Sequence, residues 1–258
     1  MNLFAALAVG SGLIGFAAAH RFLRSKPLLS RVMACLVLGT LAMPSVLFAI
    51  YYLHILPERA WFYTLRSWAG SELLVFFLGA AGGALATLLP RWLLVGPLFF
   101  ALVTAALPYF KMIMTPLNIS DLHDQWAHDA CLQSTASTCG PASCASILRF
   151  FGCPSSEREI AEAAYSSASG TEAWYLARYM RSRGFSTKFD FRHTFTPTVP
   201  LPALVGVRLG GFGHFIAVLR ISDGLVTFVD PLSGARELEL AEFMRAYTFT
   251  GFHMSVTK

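Results

Sequence analysis

The sequence predicts an α-helical membrane region of four spans followed by an α+β domain with an antiparallel sheet. Three observations lead there. First, the 258 residues are 55% hydrophobic and only 14% charged, with a mean hydropathy of +0.55; an ordinary soluble domain carries about 25% charged residues. Second, the net charge of +5 is confined to one half. Residues 1–110 hold seven Lys/Arg against Glu58 and Glu72, whereas residues 111–258 hold equal numbers of basic and acidic residues. An excess lodged in the apolar half reads as membrane topology and excludes a nucleic-acid footprint. Third, from about Asn118 the apolar runs shorten and Gly, Pro and Ser punctuate them. The expected division is therefore a transmembrane region over 1–115 and a compact domain over 116–258.

Four apolar stretches approach the ~20 residues a bilayer core requires: residues 2–19, 32–53, 73–89 and 92–110. None contains Asp, Glu, Lys or Arg, so no ion or proton path is indicated. Gly79 and Gly83 allow helices to approach closely. Trp61, Tyr63, Trp68 and Trp92 stand beside span ends, as interfacial anchors do. Leu89-Pro90-Arg91 leaves room only for a tight hairpin between the last two spans. Basic residues follow the first run (Arg21, Arg24, Lys26) and none precedes it, the reverse of a signal peptide, so an uncleaved span is expected. Counting loop charges, Arg21, Arg24, Lys26, Arg31 and Arg91 oppose Arg59, Arg66 and Lys111. That bias puts the first loop in the cytoplasm and the C-terminal domain on the extracytoplasmic side of a bacterial inner membrane.

In the second half, helices are expected over 140–151, 157–165 and 171–183, then strands over 185–189, 203–207, 214–221 and 225–229. Asp223-Gly224 supplies the hairpin turn between the last two strands. A short helix over 240–246 opens the tail. Cys139 lies just ahead of Pro141, a residue suited to a first helical turn, with Thr138 in the capping position. A cysteine at a helix N-terminus is biased toward thiolate, the nucleophilic form. The segment Gly210-Gly211-Phe212-Gly213-His214 sets a histidine at the mouth of an apolar strand. Asp230-Pro231 ends the neighbouring strand, so antiparallel pairing brings His214 and Asp230 to one end of the hairpin. Nucleophile, base and orienting carboxylate are the parts of a cysteine–histidine hydrolase.

These motifs resemble the papain-like, bacteriocin-processing (double-glycine leader) cysteine peptidase family. The shared elements are Gln133 six residues before Cys139, Cys139-Gly140-Pro141-Ala142, Gly213-His214-Phe215 and Asp230-Pro231. Softer agreements are Ser169-Gly170-Thr171, Arg183-Gly184-Phe185 and Glu242-Phe243. The resemblance covers about residues 125–255 and implies a papain-like cysteine peptidase fold. It also implies roles: Cys139 the nucleophile, His214 the general base and acid, Asp230 the residue orienting His214, and Gln133 an oxyanion donor beside the Cys139 backbone N–H. The chain departs from the exporter-fused members: Leu78-Gly79-Ala80-Ala81-Gly82-Gly83 lacks the Lys-Ser/Thr of a phosphate-binding loop, and its charge pattern places the domain outside the cytosol.

No Cys-x-x-Cys pair exists among Cys131, Cys139, Cys144 and Cys153, so neither a metal nor another cofactor is expected. Two of Cys131, Cys144 and Cys153 are candidates for a disulfide in an oxidising compartment. Arg178, Arg181 and Arg183 read as a solvated helix face. The resulting expectation is a membrane-anchored cysteine peptidase acting on a secreted or membrane-attached polypeptide, with a lipid bilayer and a polypeptide as partners and no nucleic acid. Two alternatives stay open: an amidase or acyl transferase using the same thiol, and a non-catalytic peptide-binding module.

Overall fold

The computed structural model describes residues 3–53, 55–192 and 194–258; Asn2, the expected start of the first span, lies outside them. The chain forms two compact units, one of residues up to Glu58 with Trp68–Met114, the other of Arg59–Ser67 with Thr115–Lys258.

The first unit is helical. It contains α1 (Leu3–Leu23) and α2 (Leu28–Tyr52); α3 (Ala60–Arg66), next in the chain, belongs to the second unit. Then come α4 (Val75–Ala86), entered through a 3-10 turn at Ser71–Leu74, α5 (Val95–Ala106) and α6 (Phe110–Met114). Among the described residues, three stretches are long and apolar enough to cross a membrane: Phe4–Leu23, Leu28–Tyr52 and Arg91–Met114. A fourth is reached only if Ala60–Arg66 and Ser71–Ala86 are counted as one broken span. The expected third span is thus a short helix: Ser71–Ala86 covers roughly 24 Å, against a hydrocarbon core of ~30 Å. The first two helices overrun their expected limits and take in Arg21 and Arg31. Long basic side chains at helix ends can reach back to polar groups, and the Arg31 guanidinium donates to the Thr87 carbonyl at 2.7 Å. Glycines set the α1–α4 contact. A Cβ on Gly79 would lie 1.9 Å from the Gly12 carbonyl oxygen, and one on Gly83 2.2 Å from that of Phe16, so only glycine lets these backbones touch.

The second unit is α+β. Its helices are α3, α7 (Cys139–Phe150), α8 (Glu157–Ala163), α9 (Ala173–Ser182) and α10 (Leu240–Ala246). A small hairpin joins β1 (Gln125–Ala127) to β2 (Ala130–Leu132). The main sheet comprises β3 (Ser186–Phe191), β4 (Ala203–Leu209), β5 (Phe212–Ser222), β6 (Leu225–Asp230), β7 (Gly234–Glu239) and β8 (Thr248–Thr257). Its order is β3-β8-β4-β5-β6-β7 with every neighbour antiparallel. Asp223 and Gly224, both at positive φ, make the two-residue turn between β5 and β6, as primed hairpin turns require. One sheet face buries Val205, Val207, Ile216, Val218, Val226 and Phe228 against Phe195, Phe243 and Tyr247. On the other, α7 comes so close that a Cβ on Gly140 would lie 2.8 Å from the Leu176 side chain and 3.4 Å from the Phe215 ring.

Four strands were not foreseen: the edge strand β7, whose Arg236, Glu237 and Glu239 mask its pattern; β8, which lies inside the sheet; and β1 and β2 of the small hairpin. The helix α3 corrects two further expectations. Tyr63 is not an interfacial anchor. Its ring packs among Trp174, Phe189, Phe191 and Phe252, with centroids 5.2 to 5.7 Å away. Nor do Arg178 and Arg181 form a solvated face. They donate to the carbonyls of Arg66 and Ser67 at 2.7 and 3.1 Å, satisfying the C-terminal end of α3 as basic side chains do. Arg183 pairs instead with Glu159 at 2.9 Å.

Candidate active site

Cys139 is the first residue of α7. Thr138 occupies the cap position, yet its hydroxyl does not cap the helix; it turns back to donate to the Thr135 carbonyl at 3.1 Å. The backbone N–H groups of the first helical turn have no intrahelical acceptor, so the Cys139 N–H is one of the donors that a helix start presents. One turn later, the Ser143 hydroxyl donates to the Phe215 carbonyl at 3.1 Å. This bond ties the helix that Cys139 opens to the residue beside His214.

His214 lies near the start of β5 and Asp230 at the end of β6. Ala217 pairs with Val229, so Asp230 is one step past that pair on its strand and His214 three steps past it on the other. Alternation places His214 on the face of Ile216 and Val218, and Asp230 on the face of Val226 and Phe228. The result is a contact of 2.9 Å between His214 Nε2 and Asp230 Oδ1. With Nε2 on the carboxylate, Nδ1 is the ring nitrogen left for Cys139. Cys139, His214 and Asp230 are 9%, 7% and 6% exposed.

Burial pushes the His214 pKa down, but hydrogen bonds to Asp230 and Cys139, with the negative charge of both partners, outweigh it and raise the value to about 9. For Asp230, burial raises the pKa, while hydrogen bonds from His214, the Leu232 N–H and Tyr247, and the imidazolium charge, bring it below the usual carboxylate value. The Leu232 N–H donates to Oδ1 at 3.0 Å and the Tyr247 hydroxyl to Oδ2 at 2.8 Å. Both oxygens of the carboxylate are therefore held, which fixes the imidazole in turn. Tyr247 escaped the sequence reading: it directly follows α10, and a tyrosine after a helix has no spacing signature.

Gln133 follows β2. Its backbone N–H donates to the Pro231 carbonyl at 3.0 Å, which joins the Gln133 loop to the turn after Asp230. Its side-chain Nε2 donates to the Thr135 carbonyl at 2.7 Å. A primary amide carries two protons, so this bond orients the group and leaves one proton to give. The structure thus gathers His214, Asp230 and Cys139 by direct contact and brings Gln133 to the same turn by its backbone. The cysteines Cys35, Cys131, Cys139, Cys144 and Cys153 are all free thiols, so the candidate disulfide is not present. Gly210 and Gly211 form the turn joining β4 to β5, with Leu209 paired to Phe212 across it.

Comparison with known proteins gives a consistent set of matches. A model of the peptidase C39 family matches residues 128–258. An uncharacterized protein of Methanothermobacter marburgensis is 31% identical over 122 residues, 45% of this chain and 80% of the relative. The Pseudomonas aeruginosa protein named "Probable functional amyloid protease FapD" is 23% identical over 139 residues, 50% of this chain and 62% of that protein. Among solved structures, a double glycine motif protease from an AMS/PCAT transporter, in complex with the leader peptide, is similar with a TM-score of 0.42 and 21% identity. It covers 49% of this chain and 89% of its own. The peptidase domain of Streptococcus ComA, a bi-functional ABC transporter, gives 0.43 and 20%, over 50% and 98% of the two chains.

Proposed function

This chain belongs to the peptidase C39 family and is a cysteine peptidase, and from that premise we propose that it hydrolyses a peptide bond with a Cys139–His214–Asp230 triad and a Gln133 oxyanion donor. The observation that carries the reading is the buried relay in which His214 faces Cys139 on one side and holds Asp230 at 2.9 Å on the other. Cys139 Sγ attacks the scissile carbonyl carbon as its thiolate, the proton residing on His214. The oxyanion is met by the Cys139 N–H and the remaining Gln133 amide proton. His214 gives its proton to the departing amine, leaving a thioester. It then takes a proton from water, whose hydroxide attacks the thioester; collapse expels the thiolate and releases the acid. Two apolar side chains stand at the site's rim: Phe212, two residues before His214, and Leu232, two after Asp230, at 82% and 58% exposure. They suit a substrate with apolar residues beside the cleavage point. Incubation with peptides containing a Gly-Gly site, and with total secreted polypeptides, tests the reading by product mass. Cleavage by wild type and none by Cys139→Ala is the expected result. A product carrying an added amine in place of water would turn the assignment to an acyl transferase.

The membrane placement we propose for this site draws its support from α3. Arg59–Ser67 and Thr115–Lys258 belong to one compact unit, so the intervening chain must begin and end on the same side of a bilayer. An even number of crossings between them satisfies this, and the reading we propose takes the short Ser71–Ala86 helix as a pass paired with Arg91–Met114, four spans in all. With the basic first loop inside, the peptidase unit is extracytoplasmic, facing secreted or membrane-attached polypeptides. Single cysteines introduced at Arg59, Arg91 and Lys258, probed with an impermeant maleimide in intact cells, check this. Positions 59 and 258 are expected to react from outside and position 91 only after permeabilisation; labelling of 59 and 258 from opposite sides would break the parity argument.

A further inference from the structure

The loop that carries Gln133 is held by a group the triad does not include. Glu157, the first residue of α8, is fully buried, with no exposed surface. Burying a carboxylate is costly unless it is fully hydrogen-bonded, and Glu157 spends both oxygens on one residue. The Ser134 backbone N–H donates to Oε1 at 2.8 Å and the Ser134 hydroxyl to Oε2 at 2.5 Å. The same hydroxyl accepts the His123 N–H at 2.9 Å. Ser134 is the residue after Gln133, so this fork fixes the peptide plane from which the Gln133 side chain departs. On the other side of Gln133, its own N–H is held by Pro231.

We propose that Glu157 is a positioning residue for the oxyanion site, acting through Ser134 on Gln133. The inference rests on the proposed role of Gln133 and extends it: a neutral donor stabilises an oxyanion only if it is already in place when charge develops. A side-chain amide on an irregular loop needs an external anchor, and the bidentate carboxylate supplies one. Nothing connects Glu157 to His214 in this scheme, so it should affect acyl transfer and leave thiolate formation alone.

Two reagents separate these on the full-length, detergent-solubilised protein. Iodoacetamide alkylates Cys139 by displacement at carbon without an oxyanion, and so reports the Cys139–His214 pair. p-Nitrophenyl acetate acylates the same thiol through a tetrahedral oxyanion. Both adducts are read by mass spectrometry of the Cys139 peptide. Glu157→Gln, and Ser134→Ala as a gentler cut of one arm, should leave alkylation within about threefold of wild type. They should slow acylation by about tenfold or more, approaching the loss caused by Gln133→Ala. The pair Gln133→Ala/Glu157→Gln should lose no more than Gln133→Ala alone, because groups acting as a unit are non-additive. Multiplying losses, an acylation rate unchanged in both variants, or alkylation and acylation falling together would each overturn the inference. Gln133→Ala acylating as fast as wild type would instead overturn the oxyanion role of Gln133, and with it the function assigned to Glu157. A wild-type Cys139 slow toward both reagents would overturn the activated-thiol reading itself.

Discussion

Replacing His214 with Ala is expected to lower peptide-bond cleavage by roughly 10⁴- to 10⁶-fold, and Cys139→Ala to lower it at least as far. The size follows from geometry. His214 makes both the hydrogen bond to Asp230 and the contact with Cys139, so its loss removes the proton acceptor, the proton donor to the amine and the charge opposite the thiolate in one cut. Turnover of any peptide that wild type cleaves, followed by product mass, checks it. The double variant should be no worse than either single, since the two residues act on the same step. Retention of more than a few per cent of the activity in His214→Ala would mean that the thiol is activated by something else.

The second large effect is expected at Asp230. Asp230→Asn removes the negative charge facing His214 and exchanges one acceptor oxygen for an N–H group. That group would meet either the Tyr247 hydroxyl or the imidazole N–H. Activity should fall by about 10²- to 10⁴-fold. The pH dependence carries more information than the loss. In wild type the imidazolium persists to about pH 9, so an alkaline limb in that region is expected. Without the Asp230 charge and hydrogen bond, only Cys139 supports the imidazolium against burial, and the limb should move to lower pH. Stability follows the same sign. The folded state binds the His214 proton more tightly than a free imidazole of pKa about 6.5 does. Its contribution is therefore complete below that value and disappears as pH rises through about 9. The depressed Asp230 carboxyl adds stability that is lost on acidification through its folded value. Thermal denaturation across pH 5–10 should show the gap between wild type and Asp230→Asn narrowing toward the alkaline end as the His214 part is lost, with the part due to the Asp230 carboxylate remaining; a constant gap would contradict the linkage.

The parts of this site that were legible in the sequence are those set by local rules. Cys139 could be placed because Pro141 and the following apolar run mark a helix start. His214 and Asp230 could be brought to one end of a hairpin because Asp223-Gly224 marks the turn that pairs their strands; the bulge between Val218 and Arg220 that shifts the register by one residue left no sign in the sequence. What could not be read depends on tertiary partners. β8 runs inside the sheet, but Thr248, Thr250, His253 and Ser255 obscure its pattern, and Gly251 sits at φ 89 with the Arg192 carbonyl oxygen 2.1 Å from where a Cβ would be. Tyr63 and Trp68 have the same sequence context beside an apolar run, yet Tyr63 is buried among aromatic rings and Trp68 is exposed. No pattern in the chain separates them, since an aromatic near a span end serves equally as an anchor or as core. Glu157 and Tyr247 likewise look like an ordinary first-turn acid and an ordinary surface tyrosine until their partners Ser134 and Asp230 are in view.

The central claim, that His214 makes Cys139 a nucleophile, is tested most directly by the rate of Cys139 alkylation by iodoacetamide as a function of pH, in wild type and His214→Ala. Wild type should react fast between pH 6 and 7, well ahead of the buried Cys131, whose pKa is pushed up to about 12 chiefly by burial, and His214→Ala should react fast only at alkaline pH. Equal rates for Cys139 in the two proteins across that range would contradict the account.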